Sequence, residues 1–171
     1  MINENDIKLV VFQDGDVALF EKWINKDYIY KWFCNDGGES EKEAWLEEVK
    51  NREENSHRHQ YIVTYKGIKI GYCVCIDLFG EVEYTEECYS DLIGKIVAKE
   101  VLEIGYCIGE DDYLNKGIGK IIIKKLEEQA MKLGAVLLLA DPNEKNISSI
   151  KVLLTNGFYK YKAGDYRKQL R

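Results

Sequence analysis

The chain has 171 residues, enough for one domain whose core needs no covalent staples. An apolar fraction of 46% and a charged fraction of 32% fit a water-soluble globular protein, and a net charge of -6 argues against a basic nucleic-acid-binding face. The cysteines Cys34, Cys73, Cys75, Cys88 and Cys107 make no C-x-x-C pair and no even framework. They point to free thiols in a reducing, cytoplasmic compartment. Residues 1–11 lack the apolar stretch of a signal peptide, and no window has the roughly 18 apolar residues of a membrane span. One domain over residues 1–171 is expected, with no membrane partner.

Asp14 and Asp16 precede Val17-Ala18-Leu19-Phe20-Glu21-Lys22-Trp23-Ile24, an amphipathic helix with an acidic start. Ser40 and Glu43 have capping-box spacing before Ala44, Trp45, Leu46 and Val49, which predicts a second helix. Residues 51–59 are polar and read as loop, so His57 and His59 read as surface residues. Residues 61–65 and 68–77 read as two strands joined by a turn at Lys66-Gly67. Residues 79–95 are polar, acidic and aromatic, and read as an insertion or loop-rich hairpin. Residues 96–108 are β-rich again.

Ile118, Ile121, Ile122, Leu126 and Ala130 recur at helical spacing, predicting a helix over 117–132 that Gly134 ends. Residues 135–140 form an uninterrupted apolar run, the mark of a strand buried on both faces. Asn146 can cap a short helix ended by Asn156-Gly157, and residues 158–161 give a last strand. The predicted fold is α+β, built on one mixed sheet.

Three segments carry candidate chemistry. In Asn115-Lys116-Gly117-Ile118-Gly119-Lys120 two glycines open a helix, where free N–H groups and the helix dipole suit a phosphate or pyrophosphate. No glycine precedes Gly119 by five residues, and Ile122 stands where a dinucleotide fingerprint needs glycine, so two competing glycine motifs fail. In the second segment, after Asp141-Pro142, Asn146 offers a donor and an acceptor that suit amides, or it serves only as a helix cap. In the third, Glu103 is a lone acid in the apolar strand Val101-Leu102-Glu103-Ile104-Gly105-Tyr106-Cys107-Ile108. Alternation puts it on the face opposite Leu102, Ile104 and Tyr106. Such a carboxylate has a raised pKa or a partner, and either suits a general base or a structural ion pair.

Taken in this order, the three segments resemble the GCN5-related N-acetyltransferase (GNAT) family over roughly residues 61–161. That resemblance implies a mixed, mostly antiparallel sheet flanked by helices, with a splayed strand pair forming the CoA cleft. The R/Q-x-x-G-x-G/A stretch that wraps the CoA pyrophosphate in this family maps onto Leu114-Asn115-Lys116-Gly117-Ile118-Gly119, with Leu114 in place of Arg or Gln. The resemblance implies that residues 115–120 hold the pyrophosphate. It also implies that the backbone at Cys107 and Ile108, with Asn146 and Ser149, holds the pantetheine and thioester. Many members have a tyrosine seven residues after the Asn to protonate the CoA thiolate; Leu153 stands there in this chain.

Two branches compete. Glu103-Ile104-Gly105-Tyr106 and Asn156-Gly157-Phe158 are similar to ribosomal-protein N-terminal acetyltransferases and their polyamine-acetylating relatives. Residues 20–25, Leu114-x-Lys116-Gly117-x-Gly119 and Asp141-Pro142 are similar to aminoglycoside 6'-N-acetyltransferases, antibiotic-resistance enzymes in which the strand position of Glu103 carries a catalytic acid. The expected reaction is direct attack of an amine on acetyl-CoA, without a metal. Asp77, Glu81, Glu83, Glu86, Glu87 and Asp91 occur with no Lys or Arg between them. Glu83, Glu86 and Glu87, with Trp32 from an aromatic-rich segment, are the expected binders of a small polycationic acceptor. A peptide amine acceptor, or a CoA-binding module without catalysis, are the alternatives. The oligomeric expectation is a monomer or a homodimer.

Overall fold

A computed structural model describes residues 1–171, apart from the side chain of Asp36. Seven strands form one sheet in the order β1-β2-β3-β4-β5-β7-β6. They are β1 (Ile7–Val11), β2 (Arg58–Tyr65), β3 (Ile68–Asp77), β4 (Val101–Ile108), β5 (Leu137–Ala140), β6 (Tyr159–Lys162) and β7 (Asp165–Gln169). Every neighbouring pair is antiparallel except β4 with β5. The mixed, mostly antiparallel sheet expected from the sequence is therefore present.

Helices cover both faces. On one face α5 (Ile118–Leu133) and α6 (Ile147–Thr155) bury Ile118, Ile122, Leu126 and Leu153 against Cys73, Cys75, Leu102 and Ile104. On the other face lie α1 (Val17–Ile24), α2 (Asp27–Phe33), α3 (Gly38–Lys50) and α4 (Val82–Cys88). There Phe20, Trp23, Ile24 and Val49 pack on Tyr72, Val74, Val101 and Leu139. Strand alternation sorts the residues of β3 and β4 between these two cores. Lys66 and Gly67 hold φ values of 48° and 81°, the pair of positive values that a two-residue hairpin of type I′ requires. The cysteines are free thiols. Among the described residues no helix is long and apolar enough to cross a membrane.

Four expectations give way. The 79–95 segment is not a hairpin: it folds as α4 between two 3₁₀ turns. Asp77 starts it, its carboxylate accepting the N–H groups of Phe79 and Lys99. That second bond and the φ of 69° at Lys99 keep residues 96–100 out of β4, which begins at Val101. The helix predicted from Ser40 starts at Gly38, so Ser40 lies within it. Strand β2 reaches back to Arg58, so His59 is in the sheet and His57 pairs with Glu81 at 3.0 Å. Two strands, β1 and β7, are additional to the sequence reading, and β7 slots between β5 and β6.

Candidate active site

Strands β4 and β5 run side by side only from the pairing of Val101 with Leu137 to that of Glu103 with Leu139. Beyond it β5 stops at Ala140, while β4 continues to Ile108. The two strands therefore part, leaving one edge of residues 105–108 without a strand partner. Gly109 N–H donates to Ile70 on β3, and the Cys107 carbonyl lies against Gly71 of β3. Alternation then turns the N–H groups of Tyr106 and Ile108 to the open edge, while that of Ile104 faces Leu139 at the last β5 pairing. The backbone contact expected at Cys107 thus falls to Tyr106 and Ile108, because the Cys107 amide faces β3. Its side chain still lines the cleft as a buried thiol, pushed up to about 12 by burial.

The parting strands open a cleft of about 1110 Å³. Glu103, Cys107, Ile108, Asn146, Ser149, Trp32 and Glu87 all line it, with Asp141 where β5 ends. Residues 115–120 sit at its far end, past the lining residue Leu114, where the chain enters α5. Asn115 and Gly117 have φ values of 58° and 77°, which turn the backbone into the helix. The first turn of α5 leaves N–H groups without intrahelical partners, while Lys116 and Lys120 are exposed beside it. Ile118 points into the core, so only its backbone is available. Gly119 is buried because the Tyr106 ring packs against it. Asn146 caps α6, its Oδ1 accepting Ser149 N–H at 3.2 Å. That use leaves its amide NH₂ free, so the cap and the donor coexist. Leu153 is buried and lines the cleft beside Ser149.

Glu103 is 6% exposed. Two phenols reach its Oε2: Tyr89 donates at 2.5 Å and Tyr84 stands at 2.9 Å. Both come from the segment in and after α4. Tyr84 also stands 3.1 Å from Asp141 Oδ2. Burial, then the Asp141 carboxylate, push the Glu103 carboxyl above the ordinary carboxylate range, against the pull of the two phenols. Crowding by protein raises Asp141 as well. Asp141 keeps access to solvent, whereas Glu103 is sealed.

The acidic stretch disperses. Asp77 is a buried cap, Glu81 pairs with Arg58 and His57, and Asp91 pairs with Arg167. Glu83 and Glu86 are exposed on α4 and do not line the cleft; Glu87 does. Glu81 lines it as well, and Glu41, Glu48 and Asp141 join them from outside the stretch. Among the described residues Arg58 is the one cation there, and Glu81 and Glu48 engage it. Trp32, Phe33, Trp45 and Tyr84 supply an aromatic wall. Above the cleft, Asn143 donates from its side-chain amide to Asn35 Oδ1 at 2.9 Å, bridging the two banks. Among the described residues no group of acids, histidines and cysteines is arranged to hold a metal ion.

The site is thus a sheet parted beside a helix N-terminus, with a buried carboxylate at the fork. Residues 6–159 match the acetyltransferase (GNAT) domain, and the chain belongs to that family. It is an acetyl-CoA-dependent N-acetyltransferase. Aminoglycoside acetyltransferase AAC(6')-Ib, solved with coenzyme A and kanamycin, superposes with a TM-score of 0.74 at 18% identity, over 96% of this chain and 95% of that one. Campylobacter jejuni N-acetyltransferase PseH, solved with acetyl coenzyme A, gives 0.62 at 19% identity over 96% and 99%. A domain from Methanocaldococcus jannaschii gives 0.70 at 22% identity over 96% and 98%. At these identities the likeness is one of fold.

Proposed function

We propose that the protein acetylates a primary amine of a small polycation, an aminoglycoside or a polyamine, within the cytoplasm. The observation that carries this reading is the charge of the acceptor end. Glu41, Glu48, Glu81, Glu87 and Asp141 line the cleft against the single cation Arg58, which engages Glu48 and Glu81. Charged amines gain there from charge-assisted hydrogen bonds and from the faces of Trp32 and Trp45. The kanamycin-bound neighbour supports the same class of ligand.

Acetyl-CoA supplies an activated acetyl group as its thioester. On this reading the N–H groups at the start of α5, with Lys116 and Lys120, hold its pyrophosphate. The open-edge N–H groups of Tyr106 and Ile108 and the amide of Asn146 hold the arm. Glu103 takes a proton from the acceptor nitrogen, which attacks the thioester directly. A primary alkyl amine is less than about 1% neutral near pH 7.5, so a base at that point matters. With Leu153 in the cleft wall, the Ser149 hydroxyl or a water protonates the departing sulfur. Thiol release from acetyl-CoA, measured with aminoglycosides, polyamines, neutral monoamines and peptides, tests the assignment. Polycations should give the highest kcat/KM, and added salt should raise their KM. A preference for peptides would replace this reading with N-terminal acetylation.

A further inference from the structure

Acetylation of an ammonium group has a proton balance that one base does not complete. The nitrogen starts with three protons and keeps one in the amide. One goes to the sulfur as the C–S bond breaks and the C–N bond forms. One must leave for water, yet the carboxyl nearest the fork is 6% exposed. We propose that Tyr84 is the exit for that proton, joining buried Glu103 to solvent-facing Asp141.

The geometry carries the proposal. The Tyr84 oxygen lies 2.9 Å from Glu103 Oε2 and 3.1 Å from Asp141 Oδ2. A phenol has one proton and can donate only one of these bonds. Both contacts are satisfied when Glu103 carries a proton on Oε2 and gives it to Tyr84, while Tyr84 gives its own to Asp141. The carboxyl pair then shares one proton, as two acids held this close do. Tyr89 and Tyr84 both contact Oε2, so among the described residues Oε1 has no protein partner and faces the cleft.

The step follows from this arrangement. A nitrogen proton moves to Glu103 Oε1 as the Oε2 proton moves to Tyr84 and the Tyr84 proton moves to Asp141. Asp141 releases it to water. Glu103 is left with its proton on Oε1, and rotation of the carboxyl returns that proton to Oε2 once the amide has gone. A neutral Glu103 thus still accepts a proton, because Asp141 is the ionised end of the chain. Tyr84 acts on the reaction through Glu103. The proposal rests on Glu103 as the proton acceptor and applies to any amine.

The test is buffer rescue. The rates of the parent, Tyr84→Phe, Asp141→Asn and Tyr89→Phe are measured at pH 7 with saturating substrates, in dilute buffer and in rising imidazole. Tyr84→Phe and Asp141→Asn should lose about tenfold or more in kcat and recover toward the parent with imidazole, which ferries the proton instead. Tyr89→Phe removes a bond to the same Oε2 without reaching Asp141, so its loss should ignore imidazole. Parental kcat for Tyr84→Phe in dilute buffer, or a loss that imidazole leaves untouched, overturns the proposal. So does equal rescue of Tyr89→Phe. Should Tyr84→Phe not fold, Asp141→Asn carries the same readout. Rates are compared as variant over parent on one amine, so a wrong acceptor class lowers the parent and leaves the ratio. Full activity of Glu103→Gln would instead sink the base assignment.

Discussion

A β-carbon on Gly119 would lie 2.9 Å from the hydroxyl of Tyr106, so the first turn of α5 and strand β4 meet with no space for a side chain. Gly117 differs: no atom lies within 4 Å of its β-carbon position, and its constraint is the φ of 77°. Gly119→Val should cost about 1–3 kcal/mol by overpacking, and Gly117→Val about 1–2 kcal/mol by backbone conformation. Adding Tyr106→Ala should relieve the first and leave the second. Denaturant titration of the two pairs measures this. Both valine variants should also lose the rise in thermal midpoint that acetyl-CoA gives the parent; a preserved rise would place the CoA phosphates elsewhere.

Glu103→Gln keeps the shape and removes the basicity. Its kcat should fall by about 100-fold or more, with KM for acetyl-CoA little changed. The loss should narrow toward pH 9, as the acceptor amine deprotonates unaided. A deficit of constant size across pH would identify Glu103 as a binder of the acceptor.

The same variant has a second signature, in stability. Tyr84, Tyr89 and Cys88 face Glu103 from the α4 segment, Asp141 from β5 and Arg58 from β2. Their net effect, with burial, raises the folded carboxyl above its unfolded value of about 4.3. Its contribution is therefore complete below that unfolded value and is lost as pH climbs through the folded one. The glutamine amide does not titrate, so Glu103→Gln should gain stability on the parent between pH 5 and pH 9. Thermal melts across that range read the difference directly, and a shrinking difference would contradict the raised carboxyl.

Arg167 is 4% exposed and bonds Asp165 and Asp91 through bidentate contacts of 2.8–2.9 Å. Arg167→Ala leaves Asp165, 1% exposed, without its cation. A loss of about 3–5 kcal/mol is expected on unfolding in urea. Asp91 anchors the turn that begins beside Tyr89, so kcat should fall too; Asp91→Asn alone should cost far less stability.

Among the α4 acids, only Glu87 faces the cleft. Glu87→Gln should raise KM for a polycation several-fold and leave KM for acetyl-CoA alone, whereas Glu83→Gln with Glu86→Gln should change neither. Equal effects from all three positions would point to a long-range field in place of contact.

Residues with strong periodicity were legible in the sequence. The stripe Ile118, Ile122, Leu126 and Ala130 marks α5, and the apolar run before Asp141 marks β5. Glu103 stands out because it is one acid in an apolar strand. Strand β7 hides because its sequence is Asp-Tyr-Arg-Lys-Gln, and its two buried charges cancel each other and Asp91 only after folding. Helix α4 hides because its seven residues carry no stripe and no side chain caps its start; the Asp77 cap belongs to the 3₁₀ turn before it. The partners of Glu103 were out of reach for the same reason. Tyr84 and Tyr89 precede it by 19 and 14 residues, and only the packing of α4 over the fork brings them to it.

The Asn35–Asn143 hydrogen bond joins the segment after α2 to the segment after β5 across the cleft that both line. On the proposed reading the donor enters from the α5 end and the acceptor from the end walled by α2, α3 and α4. Two reactants arriving through separate doors need not queue, and neither product blocks the other's departure. Steady-state kinetics should therefore show intersecting double-reciprocal lines with random order of addition. Replacing either asparagine with alanine should speed turnover wherever product escape limits it, and should leave a single-turnover burst unchanged.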